Sequence, residues 1–183
     1  VQYASILSAY STEEQIKSSL FNIETGNMAA LGYGCKAFTI SLVENAIKMS
    51  RGQIPASAIA EIVALGKSLL NIPAHPLPEV EETLRFFRKH TQLKLAVFTK
   101  GELLDQENKL KRSGLIPYFH HIKISSDKTA AEYQDLCETL HVCPKDLLMV
   151  GNSLKSDVIP ALQIGAHAVH IPFHTIWLHE SID

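Results

Sequence analysis

The sequence predicts an α/β fold: a parallel sheet with helices on both faces, preceded by an all-helical module. Three observations predict it. From Pro78 onward, apolar runs of strand length alternate with amphipathic helical stretches, the texture of parallel strands joined by crossover helices. Before Pro78 the apolar spacing is helical throughout. Finally, polar residues sit at the ends of the predicted strands, at Thr99, at Lys128 and at Gly151-Asn152. Open α/β sheets collect their binding groups at the carboxyl ends of strands.

Residues 1–76 form the helical module, with its first helix open to assignment partly to the α/β core. The chain enters a helical pattern at once through Ile6, Leu7 and Tyr10, with no cap before it, which suggests further chain upstream of Val1. Ser11 with Glu14 reads as a capping box opening a helix over 12–22. Gly32-Tyr33-Gly34 marks a break, and the apolar positions Phe38, Ile40, Leu42, Val43, Ala46 and Ile47 predict a helix over 36–50. Pro55 and Ser57 precede a further helix over 58–70, and Pro73, Pro76 and Pro78 punctuate the connection that follows.

In 77–183 the alternation assigns helices to 79–90, 103–113, 129–141 and 156–164, two of them stopped by Gly114 and Gly165. Strands are assigned to 93–99, 121–125, 146–150 and 166–171. The run Leu147 to Val150 is continuously apolar, as a strand buried on both faces requires.

Composition narrows the function classes. The chain has 183 residues, 46% of them apolar, and a formal net charge of −2, which excludes the basic footprint of a nucleic-acid binder. No apolar run reaches the roughly 18 residues of a membrane span, and no signal peptide is visible. Three scattered cysteines, Cys35, Cys137 and Cys143, fit a reducing cytoplasm.

Each polar strand end has a bland reading and a chemical one. Thr99 closes a strand ahead of Lys100 and Gly101. A hydroxyl beside free backbone N–H groups binds an anion; the bland reading is a threonine finishing a strand. Lys128 supplies a point charge for a phosphate or carboxylate, or is a solvated surface lysine. Asn152 and Asp157 offer an amide oxygen and a carboxylate to a hard cation such as Mg²⁺, or make an Asx turn and a helix cap.

Taken in order, Thr99, Lys128 and the run GNSLKSD from Gly151 to Asp157, each after a separate strand, resemble motifs II, III and IV of the haloacid dehalogenase-like (HAD) superfamily. The helical module resembles the cap that many members insert after their first motif. More narrowly, the chain looks like HAD hydrolases with GNS in place of GDS, a Thr-Lys-Gly turn and a tail like HIPFHTIWLHE. The resemblance implies a Rossmann-like core and a hydrolase. In it, Thr99 and Lys128 act on the transferred group, Lys100 and Gly101 line the substrate, and Asn152 and Asp157 lie beside Mg²⁺.

Two departures stand out. The nucleophile motif DxDx(T/V) is absent, and no Asp occurs before Asp105. Asn152 stands where the common pattern has Asp. In the family, the strand ahead of the nucleophile is central, flanked by the strands that end here at Thr99 and Val150. Without it two edges face a slot, and each buried orphan amide costs about 1–3 kcal/mol. The expectation is therefore a short N-terminal segment that supplies this strand, without which the 183 residues are inert.

The leading functional expectation is a Mg²⁺-dependent phosphatase for a small phosphorylated metabolite, working through an aspartyl-phosphate. The alternatives are a metal-independent 2-haloacid dehalogenase and a non-catalytic binding protein on the same frame. His170, His174 and His179 cluster near the end with Trp177, but their spacing across Pro172 does not make one helical face, so a wall of the site or tail packing is preferred to zinc. Tyr33, Lys36, Phe38 and Trp177 are candidate substrate selectors. The substrate itself and the oligomeric state are left open.

Overall fold

The computed structural model describes residues 2–173, in two compact units. One comprises Val1–Pro76 with Glu107–Gly114, the other Leu77–Gln106 with Leu115–Asp183.

The first unit holds α1 (Gln2–Ile6), α2 (Glu13–Leu31), α3 (Cys35–Met49) and α4 (Ala56–Leu69). The N-cap of α2 is Thr12, whose Oγ1 accepts from the Gln15 N–H. The capping pair is thus one residue beyond the expected Ser11 and Glu14. The helix also runs past Asn22 to Leu31. Gly26 alone weakens this stretch, by about 1 kcal/mol, and tertiary contacts offset it: Asn27 Nδ2 donates to Ser41 Oγ at 3.1 Å and to Glu44 Oε2 at 2.9 Å. The core is Leu7, Ile16, Leu42, Ala46 and Ile62. Asn45, fully buried, donates to Tyr3 Oη at 3.0 Å and to the Ile16 carbonyl at 3.3 Å, while the Tyr3 hydroxyl donates to the Leu42 carbonyl at 2.7 Å.

The second unit alternates helix and strand: α5 (Val80–His90), β1 (Ala96–Lys100), α6 (Leu103–Ser113), β2 (His121–Ser125), α7 (Ala130–Leu140), β3 (Leu148–Gly151), a π-helical turn (Leu154–Val158), α8 (Ile159–Gln163) and β4 (His167–His170). The α/β class and the parallel strands are as the sequence predicts. The second half of α6 groups with the helical unit. β1 pairs with β2 in register Ala96 to His121 through Lys100 to Ser125, and β3 with β4 from Leu148–His167 to Gly151–His170, both parallel. Among the described residues these are two separate two-stranded ladders.

Several boundaries move, three of them for a visible reason. β1 starts at Ala96, not Leu93, because the backbone N–H groups ahead of it are spent on side chains. Leu93 donates to Thr91 Oγ1 at 3.3 Å and Leu95 to His120 Nδ1 at 2.9 Å. The strand extends to Lys100, and the Gly101 N–H prolongs the ladder to the Ser125 carbonyl at 3.0 Å. The helix expected over 156–164 is split between the π-turn and a short α8. The Asp157 and Val158 N–H groups both donate to the Ser153 carbonyl, at 2.8 and 3.1 Å, and Pro160 has no N–H to continue that ladder. The core joins both ladders to α7 and α8 through Phe98, Tyr133, Leu136, Leu140, Ala161 and Ala166, with Met149 and Ala168 packed against it. On the opposite face of β3 and β4, Leu148, Val150 and Val169 are exposed.

Candidate active site

The carboxyl ends of the strands carry the polar groups. β2 ends at Ser125, and Lys128 lies just before Thr129, whose Oγ1 caps α7 by accepting from the Glu132 N–H. β3 ends at Gly151, and the π-turn that follows carries Asp157. The two side chains meet: Lys128 Nζ is 2.6 Å from Asp157 Oδ1, and the side chains are 10% and 7% exposed. Asp157 Oδ2 accepts from the Ser153 N–H at 2.9 Å, while Ser153 Oγ accepts from the Ser156 N–H at 3.0 Å. This is a reciprocal N-terminal cap, with aspartate in the reaching-back role. The Lys128 ammonium also lies 5.2 Å from the Phe98 ring centroid, within cation–π range.

Gly151 is required here for space. A Cβ on it would lie 2.3 Å from Asp157 Oδ2, so a side chain would displace the carboxylate.

Tyr133 ties the π-turn to the sheet. It is fully buried, and its hydroxyl lies 3.1 Å from the carbonyls of both Ser156 and Asp157, to which it donates. Its ring meets Phe98 edge-on at 4.8 Å. Burial pushes its phenol well above the ordinary tyrosine value, and the Asp157 carboxylate adds to the shift. π-turns free carbonyls from regular pairing and are frequent at functional sites; here a side-chain hydroxyl takes up two of them.

Lys100 joins the same network. Its Nζ donates to Ser156 Oγ at 3.0 Å and lies 3.7 Å from Asp127 Oδ1, an oxygen that also accepts from the Lys128 N–H at 2.8 Å. Thr99 is engaged differently: its hydroxyl donates to Gln106 Oε1 at 2.9 Å. Gly101, at φ +148°, leaves room for that glutamine, whose Nε2 would lie 2.8 Å from a Cβ there.

The structure therefore brings Lys128, Asp157 and Lys100 into one hydrogen-bonded group and places Thr99 beside them on β1. Asn152 is exposed, and its carbonyl accepts from His170 Nε2 at 3.1 Å. His174, Trp177 and His179 lie outside the described residues. Among the described residues no three His, Cys, Asp or Glu side chains are placed to hold a metal. Gln106, Tyr133 and Ser156 were not legible as site residues. Gln106 and Tyr133 sit on helices where a polar surface position and a core aromatic are the ordinary readings, and Ser156 carried no signal of its own.

Two ammonium groups and a threonine hydroxyl stand at the strand ends, with the buried Asp157 carboxylate against Lys128 and the exposed Asp127 carboxylate 3.7 Å from Lys100.

A family model for haloacid dehalogenase-like hydrolases matches residues 7–165. A haloacid dehalogenase-like family hydrolase from Xanthomonas campestris is 32% identical and superposes with a TM-score of 0.86, over 93% of this chain and 71% of that one. N-acylneuraminate-9-phosphatase of Mus musculus is 27% identical over 108 residues, 56% of this chain. The chain spans 40% of the length of that curated relative. A 2-haloacid dehalogenase from Pseudomonas syringae pv. tomato shares the fold at 18% identity, with a TM-score of 0.63 over 96% of this chain and 80% of that one. With the alternating fold, the ordered strand-end residues and a family match over most of its length, the chain belongs to the haloacid dehalogenase-like hydrolases.

Proposed function

We propose that the protein is a phosphatase for a small phosphorylated metabolite, with Lys128, Lys100, Gly101 and Thr99 receiving the phosphoryl group. The observation that carries this reading is the pair of lysines at adjoining strand ends, held through Asp157 and Ser156. A phosphate monoester brings a dianion that the two ammonium groups would meet in exchange for their present carboxylate partners, Asp157 and Asp127. In such a site fixed charges and dipoles already point where negative charge develops, which is the main source of rate in phosphoryl transfer. The phosphatase relative supports the choice of substrate class.

Attack on phosphorus needs a carboxylate that is not committed elsewhere. Asp157 is unsuited to it, since both of its oxygens already have partners in Lys128 and Ser153. The proposed nucleophile is an aspartate on a strand lying between β1 and β3, whose unpaired ladders leave an edge for it on each side. It would form an aspartyl-phosphate that water then hydrolyses.

Asn152 and Asp157 are oxygen donors of the type Mg²⁺ takes. Mg²⁺ commonly binds one or two carboxylates together with substrate phosphate and several waters, so these two residues would form part of its ligand set, Asp157 through a further lone pair of an oxygen already bonded to Lys128 or Ser153, with the nucleophile's carboxylate completing the protein's share. When bound, Mg²⁺ would offset charge on the phosphoryl oxygens.

One observation favours a second reading. Asp157 is already neutralised by Lys128, which suits metal-independent 2-haloacid dehalogenase chemistry. One experiment separates the readings: assay the 183-residue chain, and the protein translated from its complete reading frame, with p-nitrophenyl phosphate and with 2-chloropropionate, each with and without Mg²⁺. Phosphate release by the complete protein with Mg²⁺, and none by the 183 residues, is expected. Halide release without metal would instead establish the dehalogenase, and silence on both substrates a binding role.

A further inference from the structure

We propose that Gln106 is a positioning residue that sets the direction of the Thr99 hydroxyl proton, and so whether Thr99 can donate to a bound anion. The proposal rests on the anion-binding role given above to Thr99.

The geometry begins with α6. Its first turn is pinned at Glu102, whose Oε2 accepts from the Asp105 N–H and whose carbonyl accepts from the Gln106 N–H, both at 3.0 Å. Gln106 therefore projects from a fixed backbone. Its amide lies across the turn Thr99-Lys100-Gly101, with Cγ, Cδ and Nε2 at 3.1, 3.2 and 2.8 Å from where a Gly101 Cβ would be. The absent side chain at Gly101 is what lets the amide lie there. At its other end, Oε1 accepts the Thr99 proton at 2.9 Å.

A hydroxyl has one proton and two lone pairs. While the proton is given to Gln106, Thr99 offers a phosphoryl oxygen only lone pairs, which repel it. A carboxamide presents an acceptor and a donor of nearly equal shape, exchanged by a half-turn about χ3. With Nε2 turned to Thr99 Oγ1, the amide donates, the hydroxyl accepts from it, and the Thr99 proton is released toward the anion. Glutamine can serve both orientations. A leucine can serve neither, and it would leave the threonine free among its staggered rotamers.

The test compares the protein translated from its complete reading frame with its Gln106→Leu, Thr99→Val and double variants. The first readout is the Thr99 χ1 distribution from three-bond NMR couplings, measured without any anion. A single rotamer is expected in the parent and an average over rotamers in Gln106→Leu. The second is the dissociation constant for inorganic phosphate. Each single variant should weaken binding about tenfold, the scale of one hydrogen bond to a charged group, and the double variant should be no weaker than Thr99→Val alone. A fixed Thr99 rotamer in Gln106→Leu, an averaged one in the parent, or losses that multiply in the double variant would each overturn the proposal. A parent that binds no phosphate counts against the phosphatase reading instead, and the rotamer readout then decides the role of Gln106 by itself.

Discussion

At the scale of single residues, the Lys128–Asp157 pair sets the terms of the site. Burying two ions costs several kcal/mol each, and their attraction repays this only with good geometry and further hydrogen bonds. Both conditions hold: the contact is 2.6 Å, the second oxygen of Asp157 has the Ser153 N–H, and Lys128 has the Phe98 ring. Removing one partner strands the other. Asp157→Asn should therefore destabilise the protein by about 3–5 kcal/mol in urea unfolding, whereas Lys128→Met combined with Asp157→Leu should cost far less. If Asp157→Asn unfolds at the parent's midpoint, the ammonium is solvated and the pair is a surface contact. Both residues stood out in the sequence because each follows a strand. Their partnership did not, because a sequence separation of 29 positions is closed only by the packing of β1, α7 and the π-turn.

At the scale of elements, the sequence carried the alternation of helix and strand but not the places where backbone groups are diverted. The start of β1 depends on Thr91 and His120 taking N–H groups from Leu93 and Leu95, a tertiary effect no periodicity contains. The π-turn is similar. Its carbonyls find the Tyr133 hydroxyl from a helix more than twenty positions earlier, so local reading predicts an ordinary helix there. Gly151 was legible only as a strand breaker, yet its lack of a Cβ is what admits the Asp157 carboxylate. Gly151→Ala should consequently force the carboxylate off Lys128 and the Ser153 N–H. The expected cost is about 1–3 kcal/mol, typical of overpacking, together with loss of phosphate binding in calorimetry. An alanine variant of parental stability and affinity would mean that the π-turn gives way without strain.

At the scale of the whole molecule, each unit is organised around a tyrosine whose hydroxyl serves backbone carbonyls: Tyr3 to Leu42 in the helical unit, and Tyr133 to Ser156 and Asp157 in the α/β unit. Helical spacing gives way to alternation at Pro78 in the sequence, whereas the inclusion of Glu107–Gly114 in the first unit has no signal in the spacing. The tyrosine hubs were not legible either, because a tyrosine on an apolar face reads as core whether or not its hydroxyl has a task. They have a consequence at high pH. Burial pushes the Tyr3 phenol from 10.0 up to about 12, with the Asn45 hydrogen bond opposing it, and burial raises Tyr133 as well. Lys123 is also raised, because its bonds to Asp135 and Glu132 together outweigh its burial. For groups held above their unfolded values, the stability they contribute is complete below those values and is lost as pH climbs toward the folded ones. Above about pH 10 the unfolded chain sheds phenol protons that the folded chain retains, so unfolding is favoured. The urea midpoint should begin to fall near pH 9, because burial holds the Cys137 thiol above its ordinary 9.0, and fall more steeply from about pH 10 as pH approaches 12, the value Tyr3 reaches. Tyr3→Phe and Tyr133→Phe should each make that fall shallower while keeping the ring in place. If Tyr3→Phe and Tyr133→Phe leave that fall as steep as in the parent, the two hydroxyls are solvated and their hub role is lost.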